Sequence, residues 1–328
     1  MNILINRYCN LSCSYCFAKK MLENPSIPND MSLEDFDYCL DFIERSRDFL
    51  EGAYRRQVRV LGGEPTVSKL FSEYAKLIVK RKALTEVMVF SNGLIPSHSM
   101  ETIFDLRKYK RVRILINSNT PEFLKDRYAE LESNIDQLVK NKIDISLGVN
   151  ISGEDFDYKY IIELLKKHQL KTARWTVVSP NQSDLKEHQP IDYYKKHVEV
   201  VLNFLRECFE LGIKTNVDCN VIPLCAYSDS QLREIVIYDP ESLYRKRCMP
   251  VLDIMPNLKV IRCFGTNHLG NCNLRDYDNA MEVFEYFAKN IDKGVNGLEF
   301  TKECNKCKLH KRYKCGGGCL AFYLQPNP

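Results

Sequence analysis

The sequence predicts an α/β protein built on parallel strands, followed by a smaller cysteine-rich segment. Short β-branched runs alternate with longer stretches of helical period as far as Gly212, and beyond it cysteines punctuate loops where periodic elements would otherwise stand. Repeated β–α alternation calls for right-handed crossovers and hence a parallel sheet. About six such units precede Gly212, too few for a complete eight-stranded barrel. An incomplete barrel and an open sheet both fit.

The strands read as Ile3–Ile5, Gln57–Leu61, Glu86–Phe90, Arg111–Ile116, Ile143–Val149 and Arg174–Val178, β-branched runs with buried faces. Ser32 suits an N-cap, and Leu33, Phe36, Leu40, Ile43 and Leu50 follow it at helical spacing. A longer helix is marked by Ile191, Tyr194, Val198, Val201, Leu205 and Cys208. After Gly212 come a strand-like run at Ile213–Val221 and a charged helix near Ser230–Tyr238. Leu252–Ile254 and Lys259–Ile261 then flank Met255-Pro256-Asn257-Leu258, a hairpin signature. The segment 248–319 shows little apolar periodicity, so metal ligation is expected to supply much of its folding energy.

Composition narrows the function classes. The chain has 328 residues, 45% hydrophobic and 27% charged, as ordinary globular proteins have. No run approaches the roughly 18 apolar residues of a membrane span. The opening residues lack a secretion signal, so a cytoplasmic protein is expected. With 47 Lys plus Arg against 43 Asp plus Glu, the formal charge of +4 gives no reason to expect nucleic acid.

Cysteine is the unusual count, with fourteen. In a reducing compartment, clustered cysteines point to metal or iron–sulfur ligation. Cys9, Cys13 and Cys16 form C-x3-C-x2-C directly after the first strand. Three thiolates from one loop can hold three irons of a [4Fe–4S] cube and leave the fourth open to a small molecule. A closed zinc site normally takes four ligands, and no fourth Cys or His lies nearby in sequence. Cys39 and Cys208 fall on apolar helix faces, where a thiol behaves as a small hydrophobe, and Trp175 reads as core.

C-x3-C-x2-C with Tyr15 before its last cysteine, at the end of the first strand of an α/β chain, resembles the radical S-adenosylmethionine (SAM) superfamily. The resemblance implies a partial (β/α)6 barrel over residues 1–212. It also implies a cluster on Cys9, Cys13 and Cys16 that chelates SAM and cleaves it to methionine and a hydrogen-abstracting 5′-deoxyadenosyl radical. Gly62-Gly63-Glu64-Pro65 after the second strand matches the family's motif for the methionine amino group, with Glu64 supplying negative charge. Ser91 and Asn92, Asn117 and Ser118, and Asn150 end the next three strands and would serve the ribose and the methionine carboxylate. Tyr15 would lie near adenine. Ligands gather at the carboxyl ends of parallel strands, so the placement is coherent.

Residues 213–328 resemble the SPASM extension, a small α+β unit that binds auxiliary [4Fe–4S] clusters. Cys248 and Cys263 bracket Leu258, and Cys304-x2-Cys307-x7-Cys315-x3-Cys319 follows. Leu258 stands where glycine is usual, the Cys307–Cys315 gap is longer than usual, and no cysteine follows Cys319. Family pairing would give Cys248, Cys263 and Cys319 to one cluster, with Cys225 or Cys219 as its fourth ligand. Cys304, Cys307 and Cys315 would serve a second, so one or two auxiliary clusters are expected. A zinc ribbon is the competing reading of the same cysteines.

Proteins of this build mostly modify ribosomal peptides or protein side chains, which makes a peptide maturase the leading expectation. With Cys9 so early, a leader peptide would need a separate binding partner or direct docking. Flavodoxin or ferredoxin would serve as reductant. The alternatives are a small-molecule dehydrogenase or epimerase and a non-enzymatic Fe–S scaffold or sensor. Asp218 and Cys219, at the junction of core and tail, are the candidate base and hydrogen-atom donor.

Overall fold

The computed structural model describes residues 1–16, 18–179, 190–220, 222–244, 248–293, 302–312 and 314–323. In chain order the longer elements begin with β1 (Asn2–Leu4), α1 (Leu33–Arg45), β2 (Gln57–Leu61), α2 (Phe71–Lys80), β3 (Glu86–Ser91), α3 (Ser97–Arg107) and β4 (Arg111–Asn117). They continue with α4 (Tyr128–Lys140), β5 (Asp144–Ile151), α5 (Lys159–Lys167), β6 (Thr172–Val177), α6 (Pro190–Glu210) and β7 (Lys214–Val217). The last are α7 (Asp229–Tyr238), β8 (Asp253–Ile254), β9 (Lys259–Ile261), β10 (Asn271–Asn273) and α8 (Ala280–Phe287). The expected α/β alternation is present, and among the described residues no pairing closes the strands into a ring. Val221, the last residue of one predicted strand, lies outside the described residues; the strand itself is β7.

Two compact units divide the chain. The first comprises Met1–Asn117, Glu122–Ile145 and Pro250–Asn296; the second comprises Ser118–Pro121, Ser146–Met249 and Gly297–Pro328. The change of sequence character after Gly212 is therefore not where the compact units divide.

In the first unit β1 to β4 run parallel, Ile3 opposite Val60, Val58 opposite Val87 and Val87 opposite Val112. Ile3, Val58, Val60, Val87, Val89 and Ile114 of the strands are buried, as are Phe36, Leu40, Tyr74, Ile78 and Ile103 of the helices. Ser32 caps α1 as expected, accepting the Asp35 N–H at 3.0 Å, an arrangement worth about 1 kcal/mol. The helix stops at Arg45, short of Leu50. Ser46 is buried there, and its hydroxyl accepts the Ala280 N–H at 2.8 Å.

The hairpin forms as predicted, Asp253 opposite Ile261 and Ile254 opposite Val260. Its partner was not foreseen: β8 pairs in parallel with β1, Asn2 opposite Asp253, and β10 extends the other side of β9. Leu252, Ile254, Val260, Leu274, Val283 and Phe287 are buried, and Met255 and Ile261 pack with Leu4, Met21, Leu22 and Ile27. The expected lack of apolar packing is thereby corrected for residues 250–293, whose buried side chains join the core of the first unit; their pattern is hidden because β8 to β10 are too short to display a period.

In the second unit β5, β6 and β7 are parallel, with Val149 opposite Trp175 and Trp175 opposite Val217. Alternation is clean: Ala173, Trp175 and Val177 are buried, whereas Arg174 and Thr176 face a half-open side. Helix α6 buries Tyr194, Val198, Val201 and Leu205. A reciprocal Ser228–Gln231 capping box starts α7. Cys39, Cys208 and Trp175 are core, as expected.

Candidate active site

The three-cysteine loop leaves β1 and is fixed by backbone pairing to the turn after β2. Gly63 N–H donates to Asn6 O at 3.1 Å and Glu64 N–H to Tyr8 O at 2.9 Å. The pairing demands both glycines: a Cβ on Gly62 would sit 1.9 Å from Asn6 Oδ1, and one on Gly63 would sit 2.2 Å from Tyr8 O. The glycine pair thus has a packing cause that holds with or without a ligand.

Cys9 is exposed, while Cys13 and Cys16 are half-buried. Leu11 N–H points at the Cys9 sulfur at 3.4 Å, and the Asn92 side-chain amide does so at 3.7 Å. Backbone N–H groups of Ala18 and Lys19 face the Cys16 sulfur. Although Cys9 as a whole residue is exposed, desolvation of its sulfur pushes the thiol up to about 11, and burial raises Cys16 as well. N–H donors aimed at sulfur are what a ligating thiolate needs. The donor set therefore fits a cluster held by Cys9, Cys13 and Cys16. Among the described residues no three Cys, His, Asp or Glu side chains gather as ligands of a single metal ion.

Glu64 is fully buried, and its carboxylate is met by the chain's own donors. Oε1 accepts from Thr66 N–H (3.1 Å), the Thr66 hydroxyl (2.7 Å) and the Ser91 hydroxyl (3.0 Å), and Oε2 from Asn92 N–H (2.6 Å). Burial raises its carboxyl above the usual range, and these bonds oppose the rise. Ser91 Oγ also accepts the Gly93 N–H at 3.0 Å. The Asn92 amide donates to Asn10 Oδ1 at 2.7 Å. Pro65 opens a short helical turn after Glu64.

Tyr15 is half-buried beside the cysteines, and Asn117 is half-buried at the end of β4. Sequence reasoning missed Asn10 and Arg127. Asn10 donates to Leu94 O and accepts from Arg127 on its carbonyl, both at 3.0 Å, so the cysteine loop is tied to the turn after β3 and to the entry of α4. Asn10 lies inside the motif and could have been weighed. Nothing in the sequence marks Arg127.

In the second unit Asn150 sits half-buried on β5 opposite Thr176, and the buried Ser118 accepts the Tyr160 hydroxyl on its carbonyl at 3.1 Å. Asp218 forms an ion pair with Arg174 and accepts the Cys219 N–H at 2.6 Å. Cys219 is exposed. The remaining cysteines of this unit fall into two neighbourhoods. The Cys319 N–H donates to the buried Tyr194 hydroxyl at 3.0 Å, and Cys248 also lies near that hydroxyl. Cys225, Cys304, Cys307 and Cys315 lie near one another. Cys263 lies in the first unit, half-buried, its sulfur 3.1 Å from the Thr266 hydroxyl. No helix among the described residues is long and apolar enough to cross a membrane.

Comparison with known proteins agrees with this layout. Residues 3–129 match the Radical SAM superfamily. The GTP 3′,8-cyclase of Alkaliphilus metalliredigens is 30% identical over 131 residues, 40% of this chain and 37% of that protein. The GTP 3′,8-cyclase of Clostridium perfringens (strain 13 / Type A) is 26% identical over 170 residues, 50% of each. The chain thus spans half or less of the length of these curated relatives. Among solved structures, native anSMEcpe with bound AdoMet and Kp18Cys peptide aligns with a TM-score of 0.66 at 15% identity, covering 98% of this chain and 89% of that one. Native anSMEcpe with bound AdoMet gives 0.65 at 16%, covering 97% and 88%. At such identities the likeness is one of fold.

Proposed function

We propose that the chain, whose residues 3–129 match the Radical SAM superfamily, is a radical SAM enzyme that modifies a peptide or protein side chain. Membership implies a [4Fe–4S] cluster and SAM, and in this chain Cys9, Cys13 and Cys16 would hold the cluster. When bound, that group supplies the electron that cleaves SAM and so yields the 5′-deoxyadenosyl radical that takes a hydrogen atom from substrate. The chain's own residues build the surroundings. The turn 62–65 lies against residues 6–8 and so fixes the cysteine loop, and Glu64 locks that turn to Ser91 and Asn92. The half-open side of β5 and β6 offers Asn150, Thr176 and Arg174 as polar contacts for a substrate backbone.

The observation that carries the peptide reading is whole-length fold likeness, cysteine-rich tail included, to a protein solved with a peptide. The sequence matches to the cyclases span no more than half the chain. They favour the second reading, a small-molecule substrate such as a nucleotide. Under the peptide reading the tail is a SPASM-like extension carrying one or two auxiliary [4Fe–4S] clusters, flavodoxin or ferredoxin is the reductant, and the reaction takes place in the cytoplasm.

Anaerobic turnover separates the readings. Reconstituted protein is reduced with SAM alone, with a panel of synthetic peptides, or with GTP, and 5′-deoxyadenosine is measured. Stimulation by peptide, with a mass change on it, supports the maturase. Stimulation by GTP alone replaces it with the nucleotide reading.

A further inference from the structure

Three hydrogen bonds close a ring between the cysteine loop and the turn after β3. Asn10 Nδ2 donates to Leu94 O at 3.0 Å, the Leu94 N–H donates to Asn92 Oδ1 at 2.9 Å, and Asn92 Nδ2 donates to Asn10 Oδ1 at 2.7 Å. The middle bond is an Asx turn, in which an asparagine oxygen takes the N–H two residues on. The backbone of the turn is pinned as well. Glu64 accepts the Asn92 N–H, and the amide of the buried Asn134 on α4 donates to Gly93 O at 2.9 Å and to Ile95 O at 3.2 Å.

An asparagine amide carries two N–H donors. On Asn92 one goes to Asn10 Oδ1 and the other to the Cys9 sulfur at 3.7 Å. Both are used inside the protein, and neither is left for the ribose or carboxylate to which family resemblance would assign this residue. The Leu11 N–H reaches the same sulfur at 3.4 Å. Cys9 therefore has one backbone donor that no side-chain substitution removes, and one side-chain donor whose direction is set by the ring.

We infer that Asn92 is a positioning residue for the cluster and not a SAM contact: its amide orients Cys9 and, by donating to the ligating thiolate, raises the cluster's reduction potential. The inference rests on the radical SAM reading of the three-cysteine loop. Groups that hydrogen-bond a metal ligand orient it and tune the metal, and bonds to sulfur are among the levers on Fe–S potentials. Reduction adds negative charge to the cluster. An N–H aimed at its thiolate therefore stabilises the reduced form more than the oxidised form, and losing it lowers the potential.

The test uses the full chain, reconstituted anaerobically, and reads iron content, SAM binding by equilibrium dialysis and the midpoint potential by EPR-monitored titration. The relevant cluster is the EPR signal that SAM alters and that vanishes when Cys9, Cys13 and Cys16 are all replaced by Ala. Asn92→Ser keeps a hydroxyl that can accept the Leu94 N–H but has no amide to reach Cys9. Asn92→Asp keeps the acceptor and sets a carboxylate against the sulfur. Asn134→Ala loosens the same turn without touching Cys9. Expected in Asn92→Ser are retained iron, unchanged SAM affinity and a reduced-to-oxidised ratio about tenfold lower at a fixed potential, which is about 59 mV for a one-electron couple. Asn92→Asp should lower the potential further, and Asn134→Ala should leave it at the wild-type value while lowering thermal stability. An unchanged potential in both Asn92 variants with iron retained overturns the inference. So does an equal shift in Asn134→Ala, which would make the turn and not the N–H the cause. Weakened SAM binding at an unchanged potential returns Asn92 to the cofactor. If neither Asn92 variant holds the cluster, pulsed EPR of Asn10→Asp protein with isotope-labelled asparagine side-chain nitrogen decides: a nitrogen coupled to the SAM-sensitive signal supports the inference, and no coupling overturns it. Wild-type protein without any SAM-sensitive signal would sink the radical SAM reading itself, and the inference with it.

Discussion

The Glu64 carboxylate accepts the Asn92 backbone N–H at 2.6 Å, joining the turn after β2 to the turn after β3 through a fully buried side chain. In the sequence Glu64 reads as a negative charge for a ligand's ammonium group. In the structure its oxygens hold Thr66, Ser91 and Asn92, and the Asn92 side chain reaches on to Asn10 and Cys9.

Replacing Glu64 should therefore damage the site even without SAM. Glu64→Ala strands several buried donors, each costing about 1–3 kcal/mol, and thermal unfolding of the SAM-free protein should fall by many degrees. Glu64→Gln keeps an acceptor but turns an NH2 group toward donors, so it should rescue only in part. A SAM-free stability equal to wild type in both variants would restore the simpler ligand-charge role.

Trp175 is the only tryptophan, and its indole N–H donates to Asp239 Oδ2 at 2.8 Å in the second unit. Burial, outweighing the bonds from Trp175 and Ser242, holds the Asp239 carboxyl above the usual aspartate range. Such a group binds its proton more readily folded than unfolded. Its contribution is present below the unfolded value and is lost as pH rises through the folded one. Asp239→Asn keeps an acceptor without the buried charge and should match or exceed wild-type stability at neutral pH. Asp239→Ala leaves the indole N–H unpaired and should cost about 1–3 kcal/mol. Tryptophan fluorescence during thermal unfolding reads both; a large loss in Asp239→Asn would show that the charge itself is needed.

The parallel strands, the α1 cap, the long helix α6 and the cysteine loop were legible because each rests on local pattern: β-branched runs, Ser32 before an apolar face, spacing of thiols. What stayed hidden depends on contacts far apart in the chain. Asn2 opposite Asp253, with the side-chain bond between them at 2.7 Å, links opposite ends of the sequence, and neither residue announces it. Arg127 on the carbonyl of Asn10 is another such contact.

The apolar packing of residues 250–293 changes what cysteine loss should do. Cys263→Ala, which under the proposed reading takes away a cluster ligand, should leave β8 to β10 protected, because Ile254, Val260 and Leu274 remain buried and β8 stays paired with β1. Hydrogen exchange of reconstituted and iron-free protein checks this. Rapid exchange throughout 252–274 in the variant would return the segment to metal-dependent folding.

Leu258 has φ of 61°, the left-handed region, at the end of the β8–β9 turn, where the resembling family usually carries glycine. The turn is closed by Leu258 N–H to Met255 O at 2.9 Å, and a residue in this position of a short hairpin loop is ordinarily glycine for steric reasons. Leucine here costs about 1–2 kcal/mol in backbone strain. The side chain, however, is buried at 3% exposure, and truncating a buried leucine costs about 2–5 kcal/mol. Burial wins, so Leu258→Gly should destabilise the protein although it restores the family's residue. Leu258→Ala separates the two effects. It gives up the side chain but keeps the strain, and should be less stable than Leu258→Gly by about 1 kcal/mol. Thermal unfolding of the three proteins under identical anaerobic conditions provides the ranking: leucine above glycine above alanine. Glycine above leucine would mean the packing around Leu258 contributes less than its burial suggests, and alanine above glycine would mean that the left-handed backbone carries no strain.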